Sequence, residues 1–234
     1  MSAMKTIGLI GGMSWESTAD YYREINQGMK RALGGLHSAR LVLYSVDFAP
    51  LERLQHAGDW KGASDVLVDA ARRVEAAGAD FIVLCTNTMH KLADDISGAA
   101  SIPMLHIADA TADELRRHGI SKAGLLGTAF TMEQDFYRGR LERGHGLEVI
   151  VPADEDRAIV HEIIYKELCL GRIEAASRRQ YQRIISGLAE QGAQAVILGC
   201  TEIGLLIGQQ DTEVPLFDTT RIHARRAVEL ALGA

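Results

Sequence analysis

Two stretches decide the reading: "AGADFIVLCTNTMH", Ala77–His90, and "QGAQAVILGCTEIG", Gln191–Gly204. In each, a glycine precedes an apolar run that stops abruptly at small polar residues, with a thiol at the junction. Aligned on Gly78 and Gly192, Cys85 falls opposite Gly199 and Thr86 opposite Cys200. Asn87 then matches Thr201, and Thr88 matches Glu202. Successive side chains of a strand point to opposite faces, so Cys85 and Thr86 do not both take the face used by Cys200. In this register the partner of Cys200 is Thr86.

The self-similarity extends outward. "GLIG" at Gly8 recurs as "GLLG" at Gly124, an offset of 116, and "IPMLHIAD" at Ile102 recurs as "VPLFDTTR" at Val214, an offset of 112. With the offset of 114 from Ala77 to Gln191, three pairs in one order give a duplicated half of about 115 residues, an ordinary domain size. Eight apolar runs read as strands: "TIGLIGG", "ARLVLYSVDF", "ADFIVLC", "PMLHI", "KAGLLGT", "LEVIVPA", "AQAVILGC" and "VPLFD". They lack polar alternation, as parallel strands covered on both faces do. Between them, "STADYYREINQGMKRAL", "ASDVLVDAARRVEAAG", "TADELRRHG" and "RRQYQRIISGLAEQG" carry helical periodicity. The expectation is an α/β chain of two pseudo-symmetric domains, each a mostly parallel sheet flanked by helices. Facing halves would put two sets of strand ends around one interdomain cleft. The expected division is 1–104 with 213–234 for the first domain and 105–212 for the second.

Composition bounds the function. Hydrophobic residues make up 47% and charged residues 24%, ordinary for a folded globular chain. A net charge of −6 supplies no basic field for nucleic acid. No apolar run is long enough to span a membrane, and the N-terminus lacks a signal-peptide cleavage pattern. Three cysteines without close spacing argue against a disulfide framework and for the cytoplasm, and zinc-ligand spacings are absent.

The strand ends "CTNTMH" and "GCTEIG" each lead toward a helical pattern, so hydroxyls, an amide and backbone N–H groups gather at what is expected to be a helix N-terminus suited to a carboxylate. With "GLIGGMSWEST", "HIADAT", "LLGTAFTMEQDFY" and "ILGCTEIGLL", these motifs resemble the aspartate/glutamate racemase family over essentially the whole chain. The nearest resemblance is to its bacterial aspartate/glutamate and broad-specificity amino-acid racemases. It implies a racemase free of pyridoxal phosphate and of any other cofactor or metal, acting on a small amino acid with its site between two α/β domains, and a homodimer. The family pattern has Cys-Asn-Thr in the first half and Gly-Cys-Thr in the second. Matching "NT" and His90 puts Thr86, not Cys85, at the first catalytic position, as in the Thr/Cys branch of the family.

Racemisation needs one group to take the α-proton from one face and another to return a proton from the opposite face. Cys200 is expected to do this well as a thiolate, its pKa lowered by a helix N-terminus. Thr86, a far weaker acid and base, is expected to serve its face poorly. Asn87, Thr88 and Thr201 are candidates for the substrate carboxylate; Glu202, or carbonyls, for the ammonium. The backbone at Met13 and Thr128, at strand ends of the two halves, is a further candidate contact. The resemblance implies that the loop after the second strand, with Gln55 or Arg53, reaches the substrate side chain. It also implies a cation on the central helix of the second half, where Lys166 or Cys169 falls. His90, His106 and His223 read as structural hydrogen-bonding residues.

Competing readings are few. The glycine-rich start lacks G-x-G-x-x-G spacing and a following ribose-binding acid, so a dinucleotide site is disfavoured. A hydantoin racemase, a maleate-type cis–trans isomerase or a decarboxylase of the same superfamily also fits paired strand-end nucleophiles. A small-anion sensor is the non-enzymatic alternative.

Overall fold

A computed structural model describes residues 4–233. The chain forms two compact units, one of residues up to His106 together with those from His223 onward, the other of Ile107–Ile222. In the first, β1 (Ile7–Gly11), β2 (Leu41–Ser45), β3 (Phe81–Leu84) and β4 (Met104–Leu105) form a parallel sheet in the order β2-β1-β3-β4. In the second, β5 (Lys122–Gly127), β6 (Glu148–Ile150), β7 (Ala195–Gly199) and β8 (Leu216–Asp218) repeat that topology as β6-β5-β7-β8. All eight expected strands are present.

The strand registers carry the duplication to single residues. Ile7 pairs with Phe81 as Ala123 pairs with Ala195, and Ile82 pairs with Met104 as Val196 pairs with Leu216. These are the offsets of 116, 114 and 112 read from the sequence. The helices Trp60–Ala76 and Ala175–Glu190 each end two residues before a glycine that turns the chain into the central strand. Gly78 and Gly192 have φ of 90° and 91°, a left-handed geometry that a side chain resists.

Strand parity sorts each sheet's side chains between two cores. In the first unit, Ile10, Ile82 and Leu84 pack with Leu67, Ala70 and Val74 of helix Trp60–Ala76. Ile7, Leu9, Phe81, Val83 and Cys85 take the other face, against Tyr21, Ile25 and Met29 of helix Trp15–Leu33 and Ala224, Ala227 and Val228 of helix Thr219–Leu232. In the second unit, Val196, Leu198 and Cys200 pack with Val160 and Ile164 of helix Asp154–Lys166 and with Tyr181 and Ile185 of helix Ala175–Glu190. Ala195 and Ile197 face helix Ile107–Arg117. Each fully buried Ile or Leu in these cores contributes roughly 1.5–3 kcal/mol, so the sheet faces are strongly specified. Helix starts add to this: Asp59 accepts from Gly62 N at 2.9 Å, a cap worth ~1 kcal/mol.

Two expectations are corrected. The return to the first unit comes at His223, not at 213, because β8 pairs with β7 and its backbone groups find their partners in the second sheet. The first boundary likewise moves from 104 to 106, since Leu105 pairs with Val83. Among the described residues, no helix is long and apolar enough to cross a membrane.

Candidate active site

In each sheet the chain runs from the first strand to a neighbour on one side, then to the central partner on the other. Such a switch leaves a crevice outside the carboxyl ends of those two strands, where open α/β sheets place their ligands. In the first unit this is the end of β1, with Gly12 and Met13, and the end of β3, with Cys85 to Thr88. In the second it is the end of β5, with Thr128, and the end of β7, with Cys200 to Glu202.

The two thiols stand differently. Cys85 is fully buried on the face covered by Tyr21 and Ala224, and burial pushes its pKa upward. Its Sγ lies 3.8 Å from Val83 O, a long and weak contact. Gly199, its counterpart, has no room for the same group: a Cβ there would stand 2.8 Å from Leu125 Cδ1 and 2.9 Å from the carbonyl oxygen of Leu126. Cys200 sits on the opposite face, 9% exposed, and its Sγ donates to Glu202 Oε2 at 2.9 Å. Thr86, Asn87, Thr88 and Thr201 are buried polar residues around the same two strand ends.

The expected helix N-termini take a reduced form. Thr88–Leu92 is a five-residue 3₁₀ turn that runs into the seven-residue helix Ala93–Ala99, and Ile203–Leu206 is a four-residue helix, so neither strand end opens directly onto a long helix whose dipole would hold an anion or acidify a thiol. The Cys200 thiol is pushed well above its ordinary range, first by burial and then by the negative charge of Glu202, with Cys169 adding to the shift. The expectation of a lowered pKa is therefore reversed. Glu202, 2% exposed, does not cap its helix; its carboxylate accepts from both Cys200 Sγ and Thr201 Oγ1, the latter at 2.8 Å.

The remaining candidates separate cleanly. Gln55 is buried, but in helix Phe48–His56 rather than in a loop, and Arg53 on the same helix is exposed. Lys166 is exposed and pairs with Glu162 at 3.0 Å, so it is not an inward cation. Cys169 instead packs against the core that contains Cys200. Thr128 accepts from Thr131 N at 3.3 Å and caps helix Ala129–Glu133, which fixes the end of β5. Met13 is buried against the core of its unit.

Sequence reasoning missed His161. Its Nδ1 accepts from Ala129 N at 3.1 Å, beside Thr128, and its ring packs on Tyr165 at 4.9 Å between centroids. The i, i+4 spacing of His161 and Tyr165 on helix Asp154–Lys166 was the available signal. His90 is also nearer the site than a remote core residue, with Nδ1 2.6 Å from Thr86 O.

His223 is buried and neutral: desolvation lowers its pKa to about 4, partly opposed by its hydrogen bond to Leu105 O. An unfolded histidine takes up its proton near 6.5, before the native one does. Stability is therefore lost as the pH falls from about 6.5 to about 4, by up to ~3 kcal/mol from this group. Urea midpoints across that range are expected to show the loss, and His223→Gln to flatten it.

The duplicated parallel α/β architecture, with matched polar ends on the third strand of each repeat, is that of the two-domain racemases. The chain belongs to the Asp/Glu/Hydantoin racemase family, whose model matches residues 10–227, and it is an isomerase. It is 28% identical to the broad-specificity amino-acid racemase RacX of Bacillus subtilis (strain 168), over 97% of this chain and 98% of that one. Among solved structures, a candidate Asp/Glu racemase from Yersinia pestis is 60% identical, with a TM-score of 0.91 over 98% of this chain and 100% of that one. An aspartate racemase homologue from Pyrococcus horikoshii OT3 is 38% identical, with a TM-score of 0.83 over the same shares of the two chains.

Proposed function

We propose that the enzyme racemises amino acids without a cofactor, with Thr86 and Cys200 serving opposite faces of the substrate α-carbon. The observation that carries this reading is the equivalence of the two residues. They follow matched strands in sheets of identical topology and register, and Cys85 is turned away into a core. At rest Cys200 is a thiol, poised to donate a proton to a planar carbanion; as a thiolate it takes the α-proton in the reverse sense. Thr86 serves its face through its hydroxyl, alone or through water. Asn87, Thr88 and Thr201, with the backbone at Met13 and Thr128, hold the substrate's carboxylate, and Glu202 also receives its ammonium.

Among the described residues no Lys or Arg side chain is buried, and the polar strand ends are neutral apart from Glu202. The reading therefore favours broad specificity, with Gln55 toward the substrate side chain, over commitment to acidic substrates. The deciding experiment incubates a panel of L- and D-amino acids without added cofactor and scores chirality by chromatography and α-deuterium by mass spectrometry. No racemisation of Asp, Glu or any neutral polar amino acid removes the proposal.

The unequal pair implies unequal turnover. The two values of kcat differ, while kcat/KM is the same in both directions because free enantiomers are equally stable. Thr86→Cys is expected to raise the slower kcat by about tenfold and narrow the difference. Cys85→Ser is expected to keep activity within about threefold and to cost ~1–2 kcal/mol for a hydroxyl in an apolar core. If Thr86→Cys leaves both rates unchanged while Cys85→Ser abolishes activity, the register is wrong.

A further inference from the structure

Three of the chain's eight histidines, His90, His106 and His223, are buried together in the first unit. The His90 ring lies 4.6 Å from that of His106 and 5.9 Å from that of His223, between centroids. They arrive from three elements: the turn after β3, the end of β4 and the last helix. His106 is the last residue of the first unit before the chain crosses to the second, and His223 is the first after it returns.

The hydrogen bonds fix which nitrogen carries the proton. A carbonyl oxygen only accepts, so His90 donates from Nδ1 to Thr86 O at 2.6 Å. His223 donates from Nε2 to Leu105 O at 2.9 Å, and its neutral Nδ1 accepts from the Tyr21 hydroxyl at 2.9 Å. One ring is thus pinned to β4 and to helix Trp15–Leu33, and it packs beside the ring that holds Thr86.

Thr86 needs such a hold. The last bond from this segment to β1 is made by Cys85 N, to Ile10 O at 2.9 Å, and Thr86 N donates only two residues back, to Leu84 O at 2.9 Å. The residue 114 positions beyond His90 is Gly204, so the second repeat builds its strand end without an imidazole. There the side chain of Cys200 is engaged by Glu202 instead. An imidazole on the end of β3, with none at the matching position after β7, is a local addition rather than a requirement of the repeated fold.

We propose that His90 is a positioning residue for the Thr86 half of the reaction. Backed by His106 and His223, it holds the Thr86 carbonyl and so sets where the Thr86 hydroxyl stands. This rests on the assignment of Thr86 and Cys200 to opposite faces of the substrate.

Three variants test it. In His90→Asn the amide nitrogen stands near Nδ1 and keeps the donor; His90→Leu removes it; His90→Gln keeps a polar group but places its nitrogen near Nε2. Racemisation and α-hydrogen exchange in deuterium oxide are measured separately from each enantiomer. His90→Leu and His90→Gln are expected to lose racemisation by about 10–100-fold, as a misplaced reacting group does. Exchange from the enantiomer that meets Cys200 is expected to stay within about threefold, because return of deuterium on that face does not use Thr86. His90→Asn is expected to recover racemisation to within about threefold of the parent. In parallel, the Thr86 carbonyl ¹³C resonance is expected to move in His90→Leu and His90→Gln and to return in His90→Asn.

Racemisation and exchange falling together, or His90→Asn behaving like His90→Gln, would overturn the proposal. A parent enzyme that neither racemises nor exchanges any amino acid sinks the racemase reading itself. In that case the carbonyl resonance decides whether His90 holds Thr86: movement with recovery in His90→Asn supports the hold, and an unmoved resonance refutes it.

Discussion

Cys200→Ala is expected to lower racemisation of every substrate by about 10³-fold, the scale of a lost acid–base group, without unfolding the protein. The substituted side chain is small and the surrounding core of Leu198, Tyr181 and Ile203 stays in place, so the thermal midpoint should move by only a few degrees. Cys200→Ser should lose less than Cys200→Ala but at least about tenfold, because a hydroxyl at that position is as weak a base as Thr86. The pH profile gives a second readout. Burial and Glu202 raise the Cys200 pKa, so the thiolate fraction grows only as pH rises through the alkaline range. Turnover in the direction that needs Cys200 as base should therefore climb with pH in the parent enzyme and lose that limb in Cys200→Ser. Chiral chromatography at several pH values measures both effects, and an undiminished rate in Cys200→Ala would remove Cys200 from the chemistry.

The largest expected stability effect lies at the end of β1. Gly12 has φ of 94°, and a Cβ there would stand 2.2 Å from Val46 O and 2.7 Å from Val46 N. Both obstacles are backbone, so no side chain can rotate away. The loop is also tied on both sides: Gly12 N donates to Thr18 Oγ1 at 2.8 Å, and Val46 N donates to Gly11 O at 3.0 Å. Gly12→Ala is expected to cost about 3 kcal/mol or more, a fall of about 6–12 °C in the midpoint for a chain of this size. Gly98→Ala is the control, since its Cβ meets nothing within 4 Å and the residue lies in helix Ala93–Ala99. That change should be neutral or slightly stabilising. Equal midpoints for the two variants would contradict the close approach at Gly12.

Much of the architecture was legible because parallel strands announce themselves. "FIVL" and "AVILG" are too short and too uniformly apolar for surface elements, and the intervening helices carry a clear 3.6-residue period. The domain boundary was less legible. "VPLFDTTR" resembles the end of the first half, which suggested a return at 213; yet a strand belongs with the neighbour that satisfies its backbone, and β8 pairs with β7. The helix that follows divides at Ile222, with Ala224, Ala227 and Val228 packed in the first unit. No local pattern marks that point, because the helix keeps one period throughout.

The candidate site divides along the same line. That Cys85 and Cys200 are out of register is already legible in the chain's repeats, since two aligned strands with a two-residue period leave one thiol on each face. The same alignment picks out Thr86, Gly199 and the polar residues beside them. What surrounds them depends on the folded chain. Helix Thr219–Leu232 brings Ala224 into the core that holds Cys85, and His223, more than a hundred positions along the chain, comes to lie beside His90, as does the nearer His106. Burial also reversed the expected state of Cys200, and Lys166 lies exposed with its ammonium paired to Glu162. The physical reason is range: strand parity and helix period are set by neighbours in sequence, whereas desolvation, charge and imidazole contacts are set by whatever the fold brings within a few ångströms.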